Sequence, residues 1–246
     1  MRHNDNKTQW QIEEASNYTH PLDVQLFADR PIFEMLGDVR GRHVLDIGCG
    51  NGFLLLRLRQ NGAIATGIDN SSEMIMQAKQ HFENRLCVAT ADYLPIRTNV
   101  CDAAICSLTI NNFPSADITK HAFQEAFRIL RPGGLFIISL PHPHTLETSA
   151  RFRWTDWEDG QNQENLVPGE GFRRQIMGVN GEMISIVNFY WPKQTLLNFA
   201  QRAGFIVDKV IEATASDDEI RLYSKDLEPI FAKVPFFFVS SFVKPS

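Results

Sequence analysis

Apolar and polar positions follow two periodicities along the chain. Short continuous apolar runs are typical of buried parallel strands, and the segments between them carry apolar residues at helical spacing. The spacing predicts helices over 119–130 and 192–203, and over 22–36, where Pro31 either kinks one helix or separates two short ones. Because strands and helices alternate, the pattern favours an α/β fold on a parallel sheet with right-handed crossovers. Strands are predicted at 44–47, 63–68, 86–89, 100–108, 135–140, 205–211 and 236–243.

The alternation breaks between residues 141 and 191. Two runs, RRQIMGV and EMISIVNFYW, stand on either side of Asn180-Gly181, which predicts a β-hairpin with a type I′ turn. The segment is too short for a core of its own, so we expect a single domain over 1–246. Within it, 1–40 form an N-terminal arm and helices, and 145–191 form an inserted flap over the ligand site. Residues 217–233 are charged and predicted to be helical.

A glycine-rich turn lies in the stretch 43–56, HVLDIGCGNGFLLL, where Gly48, Gly50 and Gly52 join an apolar strand to a helix. The free N–H groups at the start of that helix point into the turn, so a carboxylate or phosphate is favoured there. Asp46 ends the strand and faces the same crevice. The alternative is an ordinary tight connection, in which the glycines serve only the backbone.

Composition narrows the class of protein. The chain has 246 residues, 43 % of them hydrophobic, and no apolar run of about 18 residues, so no membrane span or membrane partner is expected. The polar N-terminus lacks the apolar centre of a signal peptide. Cys49, Cys87, Cys101 and Cys106 have no metal-type spacing and indicate small buried side chains in a reducing, cytoplasmic compartment. The net charge of −5 gives no electrostatic footprint for nucleic acid.

Several separate motifs resemble one known family. VLDIGCGNG, the acidic Asp69 at the end of the second strand, ADYLP and EAFRILRPGGLFIIS are similar to segments of the class I S-adenosylmethionine-dependent methyltransferases. The stretches KQTLLNFAQRAGF and PFFFVSSFVKP are similar to the small-molecule branch of that family. The resemblance spans 44–243. It implies a Rossmann-like, doubly wound sheet of seven strands, mostly parallel with an antiparallel last strand, and S-adenosyl-L-methionine as cofactor.

The resemblance also implies roles for residues at the carboxyl ends of the first four strands. The turn from Gly48 to Gly52 holds the amino acid end of the cofactor, and Asp69 accepts hydrogen bonds from both ribose hydroxyls. The alternative for Asp69 is an acid at a helix N-terminus. Asn70 and Met74 are implied to border the adenine, and Asp92 to accept from the adenine amino group with the Tyr93 N–H nearby. Ser107 to Thr109 are implied to line the cofactor from the fourth strand. Met74 as plain core and Asp92 as a turn residue are the alternatives.

The acceptor side departs from the family pattern. Asn111-Asn112-Phe113 replaces an aromatic or histidine pair after the fourth strand, and Cys101 replaces a phenylalanine. The acceptor pocket is predicted to be formed by Tyr18, Asn111, Asn112, Tyr190 and Trp191. His142 and His144 follow the fifth strand and are candidate general bases, with two polar loop histidines as the alternative. No metal site is predicted.

The function expected from these observations is methyl transfer from S-adenosylmethionine to an O, N or C nucleophile of a small molecule or peptide. An NAD-dependent oxidoreductase is the first alternative, although it calls for GxGxxG and this chain has GxGxG. A non-catalytic cofactor-binding or RNA-binding module is the second. A monomer or homodimer is expected, with no nucleic acid partner.

Overall fold

The computed structural model describes residues 22–82, 84–142, 155–157, 166–177, 183–216 and 235–246. The helices are α1 (Leu22–Leu36), α2 (Phe53–Gln60), α3 (Ser72–Ala78), α4 (Ala116–Ile129) and α5 (Lys193–Ala203), and a 3-10 turn covers Ile110–Asn112. The strands are β1 (His43–Ile47), β2 (Ile64–Asp69), β3 (Leu86–Val88), β4 (Cys101–Ser107), β5 (Leu130–Pro141), β6 (Thr155–Trp157), β7 (Gly171–Met177), β8 (Met183–Phe189), β9 (Ile206–Ala213) and β10 (Phe237–Val243).

Seven of these strands form one sheet in the order β3-β2-β1-β4-β5-β10-β9. Strand β10 runs antiparallel to both of its neighbours, and the β1–β2, β1–β4, β2–β3 and β4–β5 pairs are parallel. The predicted Rossmann-like sheet with an antiparallel last strand is therefore confirmed. The strand order reverses between β1 and β4, and sheets of this kind bind ligands beyond the carboxyl ends of the strands at such a reversal.

The two faces of the sheet are covered by separate apolar clusters. Val44 and Ile105 belong to the cluster under α1 and α2, whereas Leu45 and Ile47 belong to the one under α4 and α5. In the second cluster the ring of Phe123 meets those of Phe136 and Phe242 edge-on, at centroid distances of 5.4 and 6.0 Å. The apolar residues of β1 thus face opposite clusters, which explains why Val44, Leu45 and Ile47 are apolar on both sides of the strand.

The observed boundaries differ from the predicted ones where a local signal was missed. Helix α4 begins at Ala116 because the Ser115 hydroxyl accepts from the Ile118 N–H at 3.2 Å, which caps the helix three residues early. Strand β5 already begins at Leu130, and its pairing with β4 shifts register between Cys101 and Ala103. Pro31 lies inside the single helix α1.

The cysteines are free, and one of them contradicts the sequence prediction. Cys49, Cys101 and Cys106 are buried, but Cys87 is exposed. The reason is topological: β3 carries Cys87 at the open edge of the sheet, where nothing among the described residues pairs with its outer side. None of the described helices is both long and apolar enough to cross a membrane.

The inserted segment contains a second, three-stranded sheet, the flap sheet, in the order β6-β7-β8. Strands β7 and β8 are antiparallel, with Met177 opposite Met183, as the hairpin prediction requires. The strand β6 was not predicted, because three residues are too few to show a periodicity. The Asn180-Gly181 turn, the arm over residues 1–21 with Tyr18, His144 and the whole of the predicted helix 217–233 lie outside the described residues.

Candidate active site

The glycine turn is held between the ends of β2 and β4. The N–H groups of Gly48 and Cys49 both donate to the Ile68 carbonyl, at 2.7 and 2.9 Å. Gly48 has φ of 75°, and a Cβ there would lie 2.2 Å from Cγ2 of Thr109, so only glycine fits. Gly50 differs, because a Cβ at that position would meet nothing within 4 Å. The turn is therefore packed at Gly48 and faces open space at Gly50, which suits close approach of a ligand to the backbone.

Asp69, at the end of β2, fastens this turn. Its Oδ2 accepts from the Gly50 N–H at 2.9 Å and its Oδ1 from the Ser71 N–H at 2.9 Å. Burial raises the pKa of the Asp69 carboxyl, and the backbone hydrogen bonds oppose that rise. A carboxylate oxygen has two lone pairs, so each still has one acceptor position for a hydroxyl group. Asp69 thus ties the glycine turn to the start of α3, and its contact with a ribose stays a prediction.

A second carboxylate, Asp46, lies beneath the turn at the end of β1. It is 2 % exposed and accepts no hydrogen bond from the described residues. Burial raises its pKa well above the ordinary value, and the nearby carboxylates of Asp29 and Asp69 add to the rise. A buried carboxylate without a partner is costly, and a cationic ligand group would relieve that cost. The α-ammonium group of S-adenosylmethionine matches this requirement.

Sequence reasoning missed the third carboxylate of the group. Asp29 lies on α1, is 3 % exposed, and forms an ion pair with Arg57 of α2. Burial raises its pKa to about 6, although the Arg57 guanidinium opposes this. The only available signal was an acidic residue between the apolar positions of LFADRPIF. Helix α1 therefore contributes charge to the cofactor side of the sheet, beyond its packing role.

The candidates for the adenine side lie beyond β2 and β3. Asp92 is partly buried, and its carboxylate has no hydrogen-bond partner among the described residues. The Tyr93 N–H donates to the Thr90 carbonyl at 3.2 Å, and the Tyr93 ring is 79 % exposed. Asn70 is exposed and Met74 is buried. The carboxylate of Asp92 is thus free for a ligand, whereas the amide of Tyr93 is already engaged in a turn.

The end of β4 is shaped by three consecutive residues. The hydroxyl of Ser107 shares a hydrogen bond with that of Ser139 on β5, at 2.8 Å. Leu108 has φ of 53°, a costly conformation for a leucine. The Thr109 hydroxyl then reaches back to the Ser107 carbonyl at 2.9 Å and to the Gly48 carbonyl at 3.3 Å. The strained backbone places Thr109 directly over the glycine turn.

One of the acceptor-pocket candidates, Asn112, lies where the flap sheet contacts the turn after β4. Asn188 of β8 is 1 % exposed, and its Nδ2 donates to Oδ1 of Asn112 at 2.9 Å. Among the described residues, neither the buried side-chain oxygen of Asn111 nor the indole N–H of Trp191 has a hydrogen-bond partner. Trp191 packs edge-on against Phe199, 6.0 Å between centroids, and Tyr190 is partly buried. Sequence reasoning missed Asn188. The alternating pattern of β8 shows only that this residue lies on the buried face of the strand, and it does not show which residue it contacts.

His142 follows β5 at the carboxyl edge of the sheet, as predicted. It is 7 % exposed, and its Nε2 lies 3.8 Å from Oε1 of Glu212 on β9. Glu212 also accepts from Nζ of Lys193 at 2.8 Å, and mainly this contact lowers its pKa. The imidazole is thus directed across β10 towards β9, and the β1–β4 crevice lies on the other side of β5. In the described part of the chain, no three His, Cys, Asp or Glu side chains gather as a metal site.

Fold and site together define the class. A seven-stranded sheet reversing between β1 and β4, with a glycine turn at the reversal, is the Rossmann-like methyltransferase architecture. A methyltransferase solved from Listeria monocytogenes and described as putative and S-adenosylmethionine-dependent superposes with a TM-score of 0.66 at 20 % identity, covering 92 % of this chain and 100 % of its own. Residues 45–138 match the sequence family described as Methyltransferase domain. The resemblance to the class I S-adenosylmethionine-dependent methyltransferases is thereby confirmed, and S-adenosylmethionine is the cofactor implied.

Two relatives indicate how far the likeness extends. The chain is 37 % identical over 99 residues to the mouse tRNA (carboxymethyluridine(34)-5-O)-methyltransferase ALKBH8, covering 40 % of this chain and 14 % of that protein. It is 30 % identical over 155 residues to a malonyl-[acyl-carrier protein] O-methyltransferase of Pectobacterium atrosepticum, covering 63 % and 60 %. This chain spans less than two thirds of either relative. The oxidoreductase alternative gains no support, and with a tRNA methyltransferase among the relatives the exclusion of nucleic acid stays a prediction.

Proposed function

We propose that the protein transfers the methyl group of S-adenosylmethionine to an O, N or C nucleophile of a small molecule or a peptide. The observation that carries the proposal is the joint between Asp69 and Gly50, which holds an open glycine turn at the topological reversal of the sheet. When bound, S-adenosylmethionine supplies a methyl group on a sulfonium, so the leaving group is a neutral thioether. The chain must therefore mainly orient the reactants, which can contribute on the order of 7–11 kcal/mol.

Each end of the cofactor has a matching group in this proposal. Asp46 meets the α-ammonium group, because it is buried and none of the described residues donates a hydrogen bond to it. Asp69 accepts from the ribose hydroxyls through its remaining lone pairs, and Asp92 accepts from the adenine amino group. The open space at Gly50 lets the backbone approach the amino acid end. The residues present thus fit the cofactor in charge and in shape.

The flap of residues 145–191 covers the acceptor in this proposal and sets its identity. Support comes from the Asn188–Asn112 hydrogen bond, which docks β8 on the turn that follows β4. Water is kept from the reacting groups when such a cover is in place. The unpartnered oxygen of Asn111 and N–H of Trp191 offer one acceptor and one donor to a polar substrate. The rival role for the flap is a dimer contact.

The acceptor, the base and the compartment complete the proposal. The malonyl relative supports an acceptor that is a small group, free or carried by a protein. His142 is the candidate base, and its Nε2 lies 3.8 Å from Oε1 of Glu212. A substrate that uses this base therefore has to displace that contact. Four free cysteines are in keeping with a reducing, cytoplasmic compartment.

Ligand-induced stabilisation tests the core of the proposal. A ligand that binds only the folded state raises the melting temperature by mass action. We expect S-adenosylhomocysteine to raise it and NADH at equal concentration to leave it unchanged. No shift with S-adenosylhomocysteine at millimolar concentration contradicts the proposed function, and a shift with NADH alone restores the oxidoreductase alternative.

A further inference from the structure

The segment after Asp92 is attached to α4 by backbone hydrogen bonds to side chains. Oε2 of Glu125 accepts from the Leu94 N–H at 2.7 Å. Arg128 donates to the Leu94 carbonyl at 3.0 Å and to the Ile96 carbonyl at 2.7 Å. Two side chains of one helix therefore hold both polar groups of Leu94 and the carbonyl two residues further on. Residues 92–96 contain no helix or strand, so these bonds replace those of a regular element.

The two side chains also hold each other in place. Nε and Nη2 of Arg128 donate to the two carboxylate oxygens of Glu125 at 2.6 and 2.8 Å. This bidentate pair fixes the guanidinium plane, which aims the remaining N–H groups at the carbonyls. The Leu94 side chain is 3 % exposed in the cluster beneath α4. Backbone and side chain of Leu94 are thus both immobilised, two residues from Asp92.

The free carboxylate of Asp92 stands between two fixed points. On one side the Tyr93 N–H closes a turn on the Thr90 carbonyl, and on the other Leu94 is bound by Glu125 and Arg128. Among the described residues nothing bonds the carboxylate itself. A rigid backbone that carries an unpaired acceptor is the arrangement expected of a preorganised ligand contact.

We propose that Glu125 and Arg128 are positioning residues that set the direction of Asp92 and so the cofactor's adenine selectivity. The inference rests on the proposed function, and it assigns a role to the EAFR part of the EAFRILRPGG motif. Neither side chain touches the cofactor in this scheme. Their effect is confined to recognition of the adenine base of the cofactor, because the glycine turn and Asp69 are held by other hydrogen bonds.

A purely structural role makes a different prediction. If the pair only stabilised the fold, its loss would lower the affinity for every cofactor analogue equally or not at all. If it directs Asp92, its loss removes the advantage of an amino group over an oxo group at the purine 6-position. S-adenosylhomocysteine and S-inosylhomocysteine differ at that position, where an amino group donates to a carboxylate and an oxo group does not.

The experiment measures the dissociation constants of both ligands by calorimetry on the full chain. The wild-type protein should prefer S-adenosylhomocysteine by about tenfold or more, the effect of one hydrogen bond to a charged group. Glu125→Gln keeps the shape of the side chain and should remove most of that preference, with little change for S-inosylhomocysteine. Arg128→Lys, which keeps the charge and loses the fork, should act in the same direction. Asp117→Asn is the control, because it makes the same change in the exposed Asp117–Lys120 pair of α4.

The outcomes separate this inference from the proposed function. Glu125→Gln combined with Asp92→Ala should be no less selective than Asp92→Ala alone, since both act through one contact. Two results overturn the positioning role and leave the proposed function intact. One is an equal loss of affinity for both ligands in the folded Glu125→Gln and Arg128→Lys proteins, and the other is unchanged selectivity in them. A wild-type protein that binds neither ligand overturns the proposed function itself, and this inference with it.

Discussion

Nδ2 of Asn188 donates to Oδ1 of Asn112 at 2.9 Å, across 76 positions of the chain. This bond joins the flap sheet to the turn after β4, at the edge of the main sheet where we propose the cofactor site. Asn188 is 1 % exposed, so the bond is shielded from water and its loss leaves a buried polar group. Flap and cofactor edge are thus coupled through one pair of amides.

Breaking that pair should loosen the flap and leave the cofactor site intact. Asn188→Asp places a buried carboxylate opposite the Asn112 oxygen and should cost about 1–3 kcal/mol locally. Hydrogen exchange should therefore become faster in 183–189 and stay unchanged in 64–69. Asn198→Asp, on an exposed position of α5, is the control. Equal protection of β8 in variant and wild type would show that the bond does not hold the flap.

Alanine should act on two glycines of the turn through different effects. Gly48→Ala creates the overlap with Thr109, so it should lower the free energy of unfolding by about 1–3 kcal/mol or more. Gly50→Ala meets open space, and its cost in stability is limited to about 1–2 kcal/mol for a left-handed backbone at φ 52°. It should weaken S-adenosylhomocysteine binding at least tenfold, because its methyl group occupies ligand space. Thermal unfolding and calorimetry measure the two effects. A Gly50→Ala protein with wild-type affinity would place the cofactor elsewhere.

Asp69 should matter to the cofactor more than to the fold. Asp69→Ala is expected to weaken S-adenosylhomocysteine binding by roughly 1.5–3 kcal/mol, the range for hydrogen bonds to a charged group. Asp69→Asn keeps one acceptor oxygen for the Gly50 N–H and separates the loss of ribose contacts from the loosening of the turn. Calorimetry on both folded variants is the measurement. An unchanged dissociation constant would contradict the ribose contact and leave Asp69 only the role of an acid at a helix N-terminus.

Asp29 should make the protein less stable as the pH rises. Its pKa is about 6 in the folded protein against an ordinary 3.8, so between these values the folded state binds more protons than the unfolded state. Stability from this group is therefore greatest below about pH 4, falls as pH rises to about 6, and is constant above. Urea unfolding from pH 4 to 7 measures the free energy of unfolding of the wild-type and Asp29→Asn proteins. The wild-type value minus the variant value should decline over this window. A flat difference would mean that Arg57 restores the ordinary pKa.

Local sequence determined the main sheet and the glycine turn at its reversal. Seven apolar runs mark the strands of the main sheet, because burial on both faces leaves its trace in consecutive residues. The glycine turn and Asp69 were also predictable, since strand, turn and helix follow one another in the chain. The two edge strands broke the rule: Cys87 of β3 is exposed, and β9 is exposed at most of its positions and carries charged residues.

Tertiary structure alone decided which distant side chains meet. Asp29 pairs with Arg57 28 positions away, Asn188 finds Asn112, and His142 is directed to Glu212 instead of the glycine turn. Periodicity says which face a residue takes, but the partner depends on how two elements pack and in which register. The charge environment of Asp46 and the joint of the flap are properties of that packing, and no stretch of the sequence contains them.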